Sequence, residues 1–185
     1  MTIFKVITTY IFYFFFSTYV FSKEMIFEDF SENSGESKWE FISDQVMGGI
    51  SSGSFNILKE KNISFLRMKG KVSLENDGGF IQVRKLVEVP IKKNITGIKV
   101  KAKGNKEDYF IHLRTKFTML PWQYYQLKFT VDENWKSYNL NIDEFTRSGS
   151  LLPKTINPKH IKSVAIVAFG KKYDVTVDVA EIRFF

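Results

Sequence analysis

The chain has 185 residues, a formal net charge of +7, 44% hydrophobic and 25% charged residues, and no cysteine. This is the composition of a folded domain and excludes a mainly disordered chain. The absence of thiols excludes disulfides, cysteine nucleophiles, zinc–thiolate sites and iron–sulfur clusters, and two histidines, His112 and His160, are too few for a multi-histidine metal site.

Residues 1–22 stand apart. They hold nine of the 30 aromatics and a single charge, Lys5. An apolar run from Val6 to about Phe16, followed by Val20-Phe21-Ser22, fits a signal peptide cleaved after Ser22. The stretch Ile3 to Phe21 is also just long enough for an uncleaved membrane anchor. Either way the expectation is an exported, periplasmic or extracytoplasmic protein. Residues 23–185 carry no Pro-rich or low-complexity linker and read as one domain.

From Lys23 onward the hydrophobic period is two. Trp39–Phe55 comes first and is the densest signal: WEFISDQVMGGISSGSF. The pair Gly48-Gly49 permits positive φ or a close backbone approach, and Asp44 is placed to accept N–H groups of the turn ending at Ser51. Two readings stay open, a structural corner around a buried Trp39 or a ligand loop of exposed amides. Next, Gly70–Arg84 (GKVSLENDGGFIQVR) reads as a hairpin in which Asp77-Gly78 supplies the positive φ. Within it Phe80, Gln82 and Arg84 share one side, and Ile81 and Val83 the other. Lys99, Lys101 and Lys103 alternate as an exposed row suited to an edge strand. In Tyr109–Arg114, Tyr109, Ile111 and Leu113 oppose Phe110, His112 and Arg114. Tyr125, Leu127, Phe129 and Val131 oppose Gln126 and Lys128. A short helical turn capped by Asp143 fits Ile142–Phe145. Ile161–Phe169 and Val175–Phe185 are the last strands, with Val175, Val177 and Val179 on one face.

About ten short strands and no amphipathic helix imply an all-β sandwich, jelly roll or barrel. Parity places Gln82, Arg84, His112, Arg114, Gln126 and Lys128 on one sheet face, with Trp122 and Tyr124 beside them. Such a face suits a sugar, an anion or a peptide; it equally suits a solvated sheet with no ligand. Catalysis is not expected. The GxSxG elbow is absent, and Glu107-Asp108 and Asp143-Glu144, being adjacent, point apart. No cofactor is expected; a calcium ion on loop carboxylates and carbonyls would be structural if bound. Scattered lysines without a recognition motif argue against nucleic acid, while a basic face toward an anionic membrane fits the charge.

The strings SDQVMGGISSGSF (43–55), GKVSLENDGGFIQVR (70–84), DYFIHLRT (108–115) and WKSYNLNIDEF (135–145), in this order, resemble the NADH:ubiquinone oxidoreductase complex I intermediate-associated protein family. The resemblance covers nearly all of 25–185. It implies a galactose-binding-like jelly-roll β-sandwich and a non-catalytic assembly factor holding a subunit of a respiratory or envelope complex. Asp44, Met47, Gly48, Gly49, Ser51, Gly53, Gly78, Gly79, Phe80 and Arg84 stand at matching motif positions, and the resemblance assigns none of them a catalytic role. The binding residues expected are Asp44, Met47, Gly48, Gly49, Ser51, Gln82, Arg84, His112, Arg114 and Trp122. A protein is the expected partner, and a glycan of the cell envelope is the alternative.

Overall fold

The computed structural model describes residues 24–31 and 38–185; the expected signal or anchor segment, 1–22, lies outside the described residues. Among the described residues, twelve strands form two antiparallel sheets. The first sheet contains β1 (Met25–Glu28), β3 (Ser52–Glu60), β4 (Ile63–Val72), β6 (Gly97–Gly104), β9 (Lys136–Asn141) and β12 (Tyr173–Phe184). Its order is β3-β4-β12-β6-β9, and β1 pairs with the end of β12. The second contains β2 (Trp39–Ser43), β5 (Phe80–Leu86), β7 (Asp108–Thr115), β8 (Tyr125–Thr130), β10 (Thr146–Arg147) and β11 (Ile161–Phe169). Its order is β10-β8-β7-β11-β5-β2. Twelve strands rather than about ten are found because β1 and β10, of four and two residues, are too short to show alternation.

Alternation closes the two layers as the sequence predicts. Ile81, Val83, Tyr109, Ile111, Leu113, Val164 and Ile166 point from the second sheet into the core, opposite Leu66, Met68, Val100, Val175, Val177 and Val179 of the first. On β12 the parity changes. A bulge between Val179 and Glu181 shifts the register against β6, so that Ile182 and Phe184 also turn inward.

Three local expectations are corrected. Gly70–Arg84 is not a hairpin: β4 belongs to one sheet and β5 to the other, and residues 73–79 cross between layers. Cross-sheet pairing is a long-range choice that the turn residues do not encode. Positive φ in this crossover falls on Asn76, Asp77 and Gly79, while Gly78 is extended at φ −75°. The lysine row lies on β6, an interior strand, where Lys103 is 3.6 Å from the buried Asp178 of β12 and Lys99 pairs with Glu24. The helical turn at Ile142–Glu144 exists as a 3-10 turn, but Asn141, not Asp143, is its first boundary residue and no side chain caps it.

One end of the sandwich is sealed by a buried ion pair. Glu28 Oε2 accepts from Lys85 Nζ at 2.5 Å and from Trp39 Nε1 at 3.1 Å. Burial would raise the Glu28 pKa; Lys85, the Phe30 amide and Trp39 outweigh it and hold the carboxyl below its usual range. The Trp39 ring stacks on Phe30 at 5.6 Å and is 6% exposed. Trp39→Ala is expected to cost about 3–5 kcal/mol in chemical unfolding, because it empties a large core volume and removes a donor to a buried carboxylate. A loss below about 1 kcal/mol would show that this tryptophan does not hold the end closed.

Candidate functional site

Strand β2 ends at Ser43, and the chain turns at once into a 3-10 turn, Asp44–Met47, closed by Gly48 at φ 92°. The Asp44 side chain points inward, and its carboxylate is fully buried. Oδ1 accepts the Ser51 amide at 2.9 Å. Oδ2 accepts the Ser51 hydroxyl at 2.5 Å, the Gly79 amide at 2.6 Å and the Phe80 amide at 3.3 Å. The Ser51 Oγ in turn accepts the Ser73 amide at 3.0 Å. Asp44 therefore receives one N–H group of its own turn, that of Ser51, and also two of the second glycine motif. One carboxylate ties the loop of 44–51 to the crossover of 73–79. Burial would raise its pKa, but these donors prevail and hold it below the ordinary carboxylate range.

The glycines follow from this packing. A Cβ on Gly49 would lie 2.4 Å from the Asp44 carboxyl carbon, and one on Gly78 2.4 Å from Oδ2. Gly48 has open space but a left-handed backbone. Since Asp44, Ser51 and Gly49 are buried, they build the corner and their polar atoms are already engaged. The surface of this corner is apolar instead: Val46 is 73% exposed, Met47 62%, Ile50 48% and Leu74 51%. Of these, the sequence reading selected only Met47. Val46, Ile50 and Leu74 carry a signal in retrospect, namely apolar residues inside glycine- and serine-rich turns that belong to no strand. An open groove of about 650 Å³ runs beside this knuckle along β2 and the start of β3, with Val46 in its wall. Among the described residues both strands are edges of their sheets.

The second candidate surface is the outer face of the second sheet. The registers place Glu40, Arg84, Ala165, His112, Gln126 and Thr146 in one cross-strand row, as parity suggested. The polar groups there are largely occupied. Arg84 donates to Glu40 at 2.7 Å. Arg114 donates to the carbonyls of Thr118 and Leu120 at 3.1 and 3.0 Å. Burial, then the charge of Arg84, lowers the Arg114 pKa, so the two guanidinium groups lie near one another. His112 is stacked on Tyr124 at 4.0 Å and edged by Phe110 and Phe169. That burial pushes its pKa down to about 3 against a weaker opposing pull from the Gln126 side chain, so the imidazole is neutral at any ordinary pH. Nε2 of His112 and Oε1 of Gln126 are buried without a hydrogen-bond partner. Gln82 is half-buried in the next row, while Trp122 stands on the following loop, 65% exposed. The sequence reading put Phe110 on the side of His112 by parity but named neither Phe110 nor Phe169 among the binding residues.

The structure thus divides the ten expected residues. Asp44, Met47, Gly48, Gly49 and Ser51 form the corner at one end of the sandwich. Gln82, Arg84, His112 and Arg114 share the outer sheet face, and Trp122 lies at the opposite end. Among the described residues, no group of three or more His, Asp or Glu is placed to hold a metal ion.

With the two layers and the corner in place, comparison with solved structures defines the class of fold. The family 11 carbohydrate-binding module of cellulosomal cellulase Lic26A-Cel5E of Clostridium thermocellum superposes with a TM-score of 0.70 at 16% identity, covering 88% of this chain and 94% of that one. The Clostridium thermocellum family 11 module in complex with a beta-1,3-1,4-mixed-linked tetrasaccharide gives the same score and identity over 88% of this chain and 95% of that one. A family 30 carbohydrate-binding module scores 0.54 at 12% identity, over 80% and 87%. The fold is therefore a galactose-binding-like jelly-roll sandwich. No match was found among curated protein sequences. The family model described as Complex I intermediate-associated protein 30 matches residues 28–177, and the chain belongs to that family.

The corner generates a graded prediction. Gly48→Ala should cost about 1 kcal/mol, the backbone term alone. Gly49→Ala and Gly78→Ala should each cost more than about 2 kcal/mol, because the added methyl displaces a buried, fully bonded carboxylate. Denaturant midpoints of the three variants check this, and equal losses at Gly48 and Gly49 would contradict it.

Proposed function

We propose that this domain is a non-catalytic binding module that holds a protein subunit of a membrane or envelope complex during its assembly, and that it does so through the knuckle of Val46, Met47, Ile50 and Leu74. The observation that carries the reading is the contrast inside one loop. The family's motif spends a buried aspartate and two sterically required glycines on a rigid corner, and the corner's outward side chains are apolar and uncovered. Burying that much apolar surface in a soluble turn would be favourable, and exposing it has a use only against a partner. The adjacent groove and the edge strands β2 and β3 offer backbone groups to an extended segment of that partner. Family membership supports the assembly role.

The test is co-purification of the full chain from detergent-solubilised membranes, native against a Val46→Asp/Met47→Asp variant. A partner enriched with the native chain and reduced at least about tenfold with the variant, at unchanged melting temperature, is expected. Equal recovery with both, or no enriched partner with the native chain, would refute the reading.

A second reading, a carbohydrate-binding module, is favoured by the outer face of the second sheet. There an amide, an imidazole and two guanidinium groups lie among aromatic rings. The family 11 module seen with a tetrasaccharide shares the fold. Titration with mixed-linked β-glucan oligosaccharides and a Tyr124→Ala control separates the two readings. Saturable binding lost in Tyr124→Ala supports the glycan, and absence of binding at millimolar oligosaccharide removes it.

A further inference from the structure

The end of the sandwich opposite the Asp44 corner has a different character. Strand β7 separates the two ends by about 24 Å, from the usual rise of a strand. At this far end β7 exits, β8 and β11 enter, and the loops 116–124 and 148–160 are laced together. The Lys116 amide donates to the His160 carbonyl. The Ser148 hydroxyl donates to the Trp122 carbonyl. Arg147 donates to the carbonyls of Ser150 and Leu152. From this rigid rim project Phe117 (45% exposed), Met119 (85%), Leu120 (41%), Trp122 (65%) and Leu151 (88%).

The two chain segments that carry them have charge of one sign. Residues 109–131 and 145–173 contain no Asp or Glu. Lys116, Lys154, Lys159 and Lys162 are exposed, and none pairs with a carboxylate among the described residues. Lys116, Lys159 and Lys162 are close enough to His160 to help lower its pKa after desolvation, which places them together at the rim. The described carboxylates at this end outside those two segments are mostly engaged. Glu24 pairs with Lys99, Glu28 with Lys85, and Glu88, next to the Val87 amide that bonds the Lys162 carbonyl, with Lys38; Asp29 accepts the Ser31 amide, and Asp143 and Glu144 follow β9 at the edge of the other sheet. The chain also enters the domain here: Met25 pairs with Phe184 beside the start of β6, directly after the apolar stretch 1–22.

We infer that this end is a lipid-docking surface, in which Trp122, Met119, Leu120, Phe117 and Leu151 enter the interfacial region of a bilayer while Lys116, Lys154, Lys159 and Lys162 contact anionic headgroups. Exposed aromatic and aliphatic side chains on a loop tip, ringed by unpaired lysines, have the two components that surface association with an anionic membrane needs. A protein partner with apolar character alone would not call for four uncompensated cations. Met25, next to the first described residue, lies at the same end of the sandwich as the rim. The knuckle at the other end then faces away from the bilayer. This inference stands on the rim's own residues and does not depend on the function proposed for the knuckle.

The test uses the full chain mixed with vesicles of phosphatidylcholine, with and without about 30% phosphatidylglycerol, carrying brominated acyl chains that quench nearby indoles. Trp39 is buried and Trp135 lies on the β8–β9 loop at the opposite end, so quenching at the rim must come from Trp122. Strong quenching is expected in the anionic vesicles. It should fall at least about threefold in Trp122→Phe and at least about twofold in a Lys159→Glu/Lys162→Glu variant that keeps Trp122. Equal quenching in native and Trp122→Phe chains would overturn the proposal. So would quenching indifferent to phosphatidylglycerol, or concentration-dependent burial of Trp122 without vesicles, which would assign the rim to a second copy of the chain.

Discussion

A single carboxylate organises one end of this protein. Asp44 sits where β2 leaves its sheet, and the loops it bonds belong to both layers: Ser51 opens β3 of the first sheet, and Gly79 and Phe80 open β5 of the second. Buried N–H groups at such a crossing need acceptors, and no regular ladder supplies them. The aspartate satisfies three at once and, being ionised, makes each bond stronger than a neutral acceptor would. The glycines at 49 and 78 are the steric consequence of bringing backbone up against that carboxylate. The exposed knuckle is the functional consequence on the proposed reading, because the same turn that buries Asp44 sets Val46 and Met47 outward.

What the residues revealed in advance, and what they concealed, follows the range of the interactions. Strand parity was legible because it is local: Ile81 and Val83 against Gln82 and Arg84, or Ile111 against His112, needs only a period of two. The reach of Asp44 to its own turn was legible for the same reason. Its bonds to Gly79 and Phe80, 35 and 36 residues away, were not, although both glycine motifs were visible. The mistaken hairpin at 70–84 has the same origin. Asn76, Asp77 and Gly79 do take positive φ, as a turn would, but whether the next strand returns to β4 or crosses to the other sheet is decided by the whole core. The lysines of β6 alternate as read; that β12 brings Asp178 against Lys103 depends on a residue 75 positions further on.

The outer sheet face shows how a shared parity differs from a working site. Gln82, Arg84, His112 and Arg114 do fall on one surface, yet Arg84 and Arg114 are engaged by Glu40 and by loop carbonyls, and His112 lies under Tyr124. The two ends are the reverse. Their exposed residues lie in loops, outside any periodic pattern, and their apolar character stands out only when the fold shows them uncovered. On the proposed account the domain is polarised along its strands, with a protein-binding knuckle at one end, a basic apolar rim at the other, and a rigid sandwich between them.

The central claim, that Asp44 holds the two motif loops as one unit, is tested most directly by amide hydrogen exchange at Ser51, Gly79 and Phe80 in the native chain and in Asp44→Asn. The account predicts that in the native chain these three amides exchange as slowly as those of the core strands β5 and β11, and that in the variant they exchange at least about tenfold faster while β11 changes far less. Equal protection of the three amides in both proteins would contradict it.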